Sequence, residues 1–141
     1  MPLNQTTLRF QDSTGKNVSA LLAEPPSRTN GIVVLCHGFL STKQSSTNRR
    51  LTELLIEKGI STFCFDWFGM GESEGTFADL TVDVCCDELE QALSFVRAKG
   101  YSRVGLVGSS YGGLIATLIA SRDSQLTALG LKCPVPDFPE M

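Results

Sequence analysis

The segment Gly108-Ser109-Ser110-Tyr111-Gly112-Gly113 sets one hydroxyl, that of Ser110, between glycines at positions 108 and 112. Gly-x-Ser-x-Gly suits nucleophilic chemistry when a buried strand precedes it and a helix follows it. Both conditions are met by pattern: the apolar run 104–107 comes directly before, and Leu114, Ile115, Leu118 and Ile119 recur at helical spacing after it. A strand, a sharp turn and a helix in that order hold the serine backbone in a strained conformation. Side chains at 108 and 112 would then collide with the neighbouring strand and helix. The same placement aims backbone N–H groups and the positive end of the helix dipole at an oxygen that gains charge during acyl transfer. The amide of Tyr111, directly after the hydroxyl, is the first such donor. A plainer reading uses the same residues: a glycine-rich start to a helix with Ser110 as its N-cap. Ser109 competes for the nucleophile's role, but only Ser110 has glycine at distance two on both sides.

Two further segments have chemical content. His37-Gly38-Phe39 follows the apolar run 32–36, and His37 is either a base for Ser110 or a loop histidine held by hydrogen bonds. A backbone N–H in this loop is placed to be a second oxyanion donor. Asp66-Trp67-Phe68-Gly69-Met70-Gly71-Glu72-Ser73 follows another apolar run. An aspartate at the end of a strand can be catalytic, yet with glycines after it the expected role is to stabilise a tight loop.

The elements that must position these residues are legible from periodicity. Leu8 and Phe10 share one face of a first strand; Val18, Ala20 and Leu22 share one face of a second, and Asp12-Ser13-Thr14-Gly15 joins them as a hairpin turn. After Pro25 and Pro26, short continuous apolar runs over 32–36, 60–65, 104–107 and 126–131 predict strands covered on both faces. Helices are predicted over 47–58, with Leu51, Leu54 and Leu55 on one stripe, and over 83–99 and 110–121. Gly59 and Gly100 stand where left-handed C-caps belong. Alternating strands and helices imply βαβ crossovers, so the expected fold class is α/β: a three-layer α/β/α sandwich whose mostly parallel sheet begins with an antiparallel hairpin. No helix pattern follows the last strand, and residues 134–141 are broken by three prolines. The sequence therefore reads as one domain over residues 1–141, interrupted before its final strands.

Composition removes several alternatives. With 141 residues, 42% of them hydrophobic, the chain can bury a core but has no room for two. A net charge of -3 without a basic stripe argues against nucleic acid. No apolar stretch approaches the ~18 residues of a membrane span, and no leader pattern opens the chain, so a cytoplasmic protein is expected. Five cysteines, three of them (Cys36, Cys64, Cys133) in apolar runs, suggest free thiols packed as small hydrophobes. Cys85 and Cys86 are helix neighbours pointing about 100° apart, unsuited to ligating one zinc ion. No metal and no cofactor is called for.

Together the three loops resemble those of the α/β-hydrolase superfamily: a His-Gly loop after the third strand, Asp-x-x-Gly-x-Gly-x-Ser after the fourth and Gly-x-Ser-x-Gly after the fifth. Within it, the chain is similar to small serine esterases, feruloyl-esterase-like and serine aminopeptidase-like hydrolases. The resemblance implies that Ser110 is the nucleophile, that the amides of Phe39 and Tyr111 form the oxyanion hole, and that His37 shapes its loop. It also implies an acid and a histidine after the nucleophile. No histidine follows Ser110, and the acids behind it are Asp123, Asp137 and Glu140. The expectation is thus the N-terminal part of a serine hydrolase acting on a small-molecule ester, thioester or amide. Its acid and histidine would lie beyond residue 141 or come from a second chain, and the 141 residues alone would be inactive. The alternative is a truncated, non-catalytic hydrolase-like binding module with an open sheet edge.

Overall fold

The fold was analysed on a computed structural model that describes residues 3–136. Two strands, β1 (Asn4–Gln11) and β2 (Asn17–Glu24), form the expected antiparallel hairpin, closed by an Asp12 side chain that accepts from the amides of Thr14 and Lys16. β3 (Gly31–Cys36), α1 (Ser46–Glu57), β4 (Ser61–Phe65), a one-turn 3-10 helix (Phe77–Asp79), α2 (Val82–Ala98), β5 (Arg103–Ser109), α3 (Tyr111–Ala120) and β6 (Ala128–Lys132) follow. The sheet order is β1-β2-β4-β3-β5-β6, with β2 antiparallel to β4 and the four strands β4, β3, β5 and β6 parallel.

Strand alternation sorts side chains between two helical layers. Ile32, Val34 and Cys36 of β3, Phe63 and Phe65 of β4, and Val104 and Leu106 of β5 point to one face. There they meet Leu89, Leu93 and Val96 of α2 and Ile115 and Ile119 of α3 in the main core. Tyr101 and Trp67 are buried there too. Aromatic stacking joins this layer to the hairpin: the Phe10 ring lies 5.6 Å from Phe65 and 5.9 Å from Phe63. α1 covers the opposite face.

That opposite face departs from the expected apolar stripe on α1. Leu54 is 41% exposed, Leu51 and Leu55 are half-buried, and the buried residues are Asn48 and Thr52. The cause is the surface of β4 beneath them, where Thr62 faces the helix: the Thr52 and Thr62 hydroxyls pair at 3.0 Å, and Asn48 Nδ2 donates to the Lys43 carbonyl. A helix tied down by hydrogen bonds does not need its leucines inside. A second correction concerns the thiols. Cys36, Cys64, Cys85 and Cys86 are buried and free, whereas Cys133, expected to pack in a strand, is exposed just beyond β6. The last strand also starts two residues later than the apolar pattern indicates, because Thr127 donates to Val104 O before the ladder begins.

Candidate active site

The carboxyl ends of β3, β4 and β5 bring the three sequence-predicted segments to one end of the sheet. At β5 the chain turns straight into α3 through Ser110, whose φ of 52° and ψ of -118° lie outside the regions comfortable for an L-residue. Four backbone hydrogen bonds hold it there. Its amide donates to Lys132 O, and its carbonyl accepts from Gly113, Leu114 and Val135. The Ser110 side chain is exposed and makes no capping hydrogen bond, so the N-cap reading does not describe this residue.

The glycines on either side are dictated by contact. A Cβ at Gly112 would reach within 2.5 Å of the His37 carbonyl oxygen, and one at Gly108 would lie 2.5 Å from Gly112 O and 2.6 Å from Gly113 Cα. Only bare backbone lets the first turn of α3 sit against the end of β3. The resulting closeness joins the first two segments: a Cβ built on Gly38 would stand 3.5 Å from Ser110 Cβ, and the Phe39 and Tyr111 rings pack at 5.8 Å. Tyr111 is buried and its hydroxyl donates to Cys85 Sγ at 3.2 Å, fixing the residue that follows the turn.

His37 is structural. The Trp67 amide donates to its Nε2 at 3.2 Å and its Nδ1 lies 2.7 Å from Gly38 O, so the ring carries its proton on Nδ1 and has no nitrogen to spare. Its carbonyl accepts from the Trp67 indole. Burial pushes the imidazole below its usual value, with the Gly38 bond and Asp66 opposing in part, which keeps it neutral near pH 7. Asp66 is equally committed. Fully buried, it accepts from the Lys43 amide at 2.6 Å, Lys43 Nζ at 2.9 Å and the Glu72 amide at 3.0 Å, and its carbonyl accepts from the Ser73 hydroxyl. Both residues brace loops. Of the acids after Ser110, Asp123 forms a two-pronged pair with Arg97, and Asp137 and Glu140 lie outside the described residues.

Pattern reading missed Lys43, Glu88 and the adjacent serine's condition. Lys43 is a lone cation in a polar loop and carries no sequence signal. Glu88 does carry one, since it falls on the apolar stripe of α2 between Cys85 and Leu89. It is buried, accepts from the Phe68 amide at 2.8 Å, and burial pushes its carboxyl up to about 8, with Asp12 and Asp87 adding to the rise. Ser109 Oγ is buried without a hydrogen-bond partner among the described residues.

A strand, a turn at positive φ and a helix, with a glycine loop at its side, can present a hydroxyl and backbone dipoles to a carbonyl carbon. Residues 31–140 match the family described as alpha/beta hydrolase fold. The chain belongs to the α/β-hydrolase fold family. The chain is 28% identical over 134 residues to the quorum-quenching protein AidA of Acinetobacter baumannii, covering 89% of this chain and 43% of that protein. A protein provisionally designated esterase/lipase 2 in Mycoplasma genitalium is 29% identical over 106 residues, 72% of this chain and 36% of the relative. The solved structure of Est1E from Butyrivibrio proteoclasticus, with ferulic acid bound, has the same fold at a TM-score of 0.78, with 23% identity over 86% of this chain and 50% of its own. The chain thus spans about half or less of the length of the proteins it matches. No helix among the described residues is long and apolar enough to cross a membrane.

Proposed function

We propose that this chain is the nucleophile-bearing part of a serine hydrolase acting on carboxylic esters or the related thioesters and amides. Ser110 Oγ attacks the carbonyl carbon, the amides of Tyr111 and Phe39 receive the negative oxygen, and an acyl-enzyme forms and is released to water. The observation that carries this reading is the Ser110 backbone: a strained, exposed, uncapped serine held by four hydrogen bonds has no structural purpose that a relaxed residue would not meet better. The family and the relative designated esterase/lipase 2 support hydrolysis as the reaction class. His37 is the chain's sole histidine and both its ring nitrogens are engaged, so the base belongs outside these 141 residues, and an acid to orient it belongs there too.

A second reading rests on β6, where Leu129 and Leu131 are 40% and 44% exposed along an open sheet edge. A binding module would use that edge to pair with another strand. The test is an intact mass before and after a fluorophosphonate probe, on the protein purified from its natural source, with S110A as control. One adduct that disappears in S110A supports the hydrolase. No adduct, with β6 amides protected from hydrogen exchange only when a partner is bound, supports the module.

A further inference from the structure

Resting on Ser110 as nucleophile, we propose that Leu40 and Phe77 form an apolar shelf that binds the hydrocarbon portion of the ester, making medium-length apolar esters the preferred substrate class. Among the described residues, these are the large apolar side chains left exposed outside the strands and α-helices, at the Ser110 end of the sheet: Leu40 by 72% and Phe77, in the one-turn 3-10 helix, by 37%. Leu40 is not placed there for packing. Leu40 adopts a φ of 59°, in a turn closed by Ser41 N donating to Gly38 O, a conformation that any of the small polar turn residues would take at lower cost.

Phe77 is linked to the site through packed rings, and Leu40 follows Phe39 directly in the chain. Tyr111 is buried beside Ser110; its ring meets Phe39 at 5.8 Å, and Phe39 meets Phe77 at 5.4 Å, so exposure rises along one aromatic string from the turn outward. Phe77 is seated by its own backbone, which presses so closely on Gly69 that a Cβ there would lie 2.7 Å from Phe77 N. Charge in the Gly38 loop is absent from the shelf: its one cation, Lys43, is buried and held by Asp66 and Glu72. A substrate's carboxylate would find no free cation in that loop, whereas a hydrocarbon chain would shed water against leucine and phenylalanine.

The experiment compares the natural protein with L40S, F77S and the double variant. One arm lengthens the acyl chain, from p-nitrophenyl acetate to p-nitrophenyl octanoate; the other lengthens the alcohol, from ethyl acetate to octyl acetate. We expect the long-to-short ratio of kcat/KM to fall about tenfold in the double variant in one arm, which also tells which side of the ester the shelf holds. Fluorophosphonate labelling of Ser110 runs in parallel. Labelling with an unchanged ratio in both arms overturns the shelf alone, and an unchanged ratio with a lower Tm assigns the two side chains to packing against another part of the protein. Absence of labelling in the unsubstituted protein overturns the reading of Ser110 and the shelf with it.

Discussion

Two loops leave the same end of the sheet, from strands separated by β3, and are built on opposite principles. After β4, Asp66 and its neighbours satisfy every charge internally: carboxylate to ammonium, carboxylate to two amides, carbonyl to the Ser73 hydroxyl. After β5, Ser110 is strained, its hydroxyl is exposed and uncapped, and the neighbouring Ser109 hydroxyl is buried without a partner among the described residues. Polar groups in the first loop stabilise the fold, whereas in the second one hydroxyl is exposed and the other is buried without a partner among the described residues. On the proposed reading, the residue that serves the reaction is the one left unsatisfied, not the one that makes most bonds.

The sharpest break in this contrast is S110A. If Ser110 serves only the reaction, the change lowers kcat of the natural protein by about 10⁴-fold or more, while its urea midpoint stays where it was, since one exposed hydroxyl without a hydrogen bond is lost. Loss of both activity and stability in S110A would erase the distinction between the loops. The complementary change is D66A, which leaves the Lys43 ammonium buried with only Glu72 beside it and the backbone amides of Lys43 and Glu72 unpaired. Removing one partner of a buried pair costs about 3–5 kcal/mol, so equilibrium urea unfolding should show a large loss. A loss under about 1 kcal/mol would mean that this loop behaves like a solvated surface pair.

How much of this was legible beforehand follows the same division. The turn at Ser110 announces itself because backbone geometry demands particular residues: Gly108 and Gly112 are required by contacts under 3 Å, and contacts of that kind leave a spacing in the sequence. The hairpin and the parallel strands were legible for the same reason, through period and turn chemistry. Lys43 was not, since any position in a long loop can reach Asp66 and none is marked. The stripe on α1 failed because hydrophobic periodicity assumes an apolar partner, whereas Thr52 meets the Thr62 hydroxyl of β4 and Asn48 meets the Lys43 carbonyl. Leu40 and Phe77 were passed over because an exposed apolar residue is ordinary until its neighbours are known.

Glu88 sharpens the comparison at the next level down. It supports the Asp66 loop from beneath through the Phe68 amide, yet burial holds its carboxyl protonated to about 8. A carboxyl whose folded pKa lies above its unfolded value binds more protons when folded. Its effect on stability is thus most favourable in acid, below about 4.5, and declines as pH rises toward about 8, by at most about 1.4 kcal/mol per pH unit. E88Q stays neutral, keeps an oxygen for the Phe68 amide, and should flatten that slope. Urea unfolding at pH 5 and pH 8 checks it: the variant should be the more stable of the two proteins at pH 8, and a slope identical in both would remove Glu88 as its source.

The smallest effect asks whether the strain at Ser110 is real. A φ of 52° with ψ of -118° is the mirror image of an extended conformation that every L-residue favours, so glycine, having no Cβ, adopts it as readily as its mirror. Alanine keeps the Cβ and the clash. S110G should relieve about 1–3 kcal/mol of strain and lose about 0.4–1 kcal/mol to the greater freedom of the unfolded chain, leaving it about 1 kcal/mol more stable than S110A, with neither able to form an acyl-enzyme. Comparing the two variants with each other cancels the missing hydroxyl and isolates the backbone. Should S110G be the less stable of the pair, the four hydrogen bonds with Lys132, Gly113, Leu114 and Val135 would be holding a conformation that carries no strain. The turn at Ser110 would then differ from the Asp66 loop in exposure alone, and the argument from strain to nucleophile would fail with it.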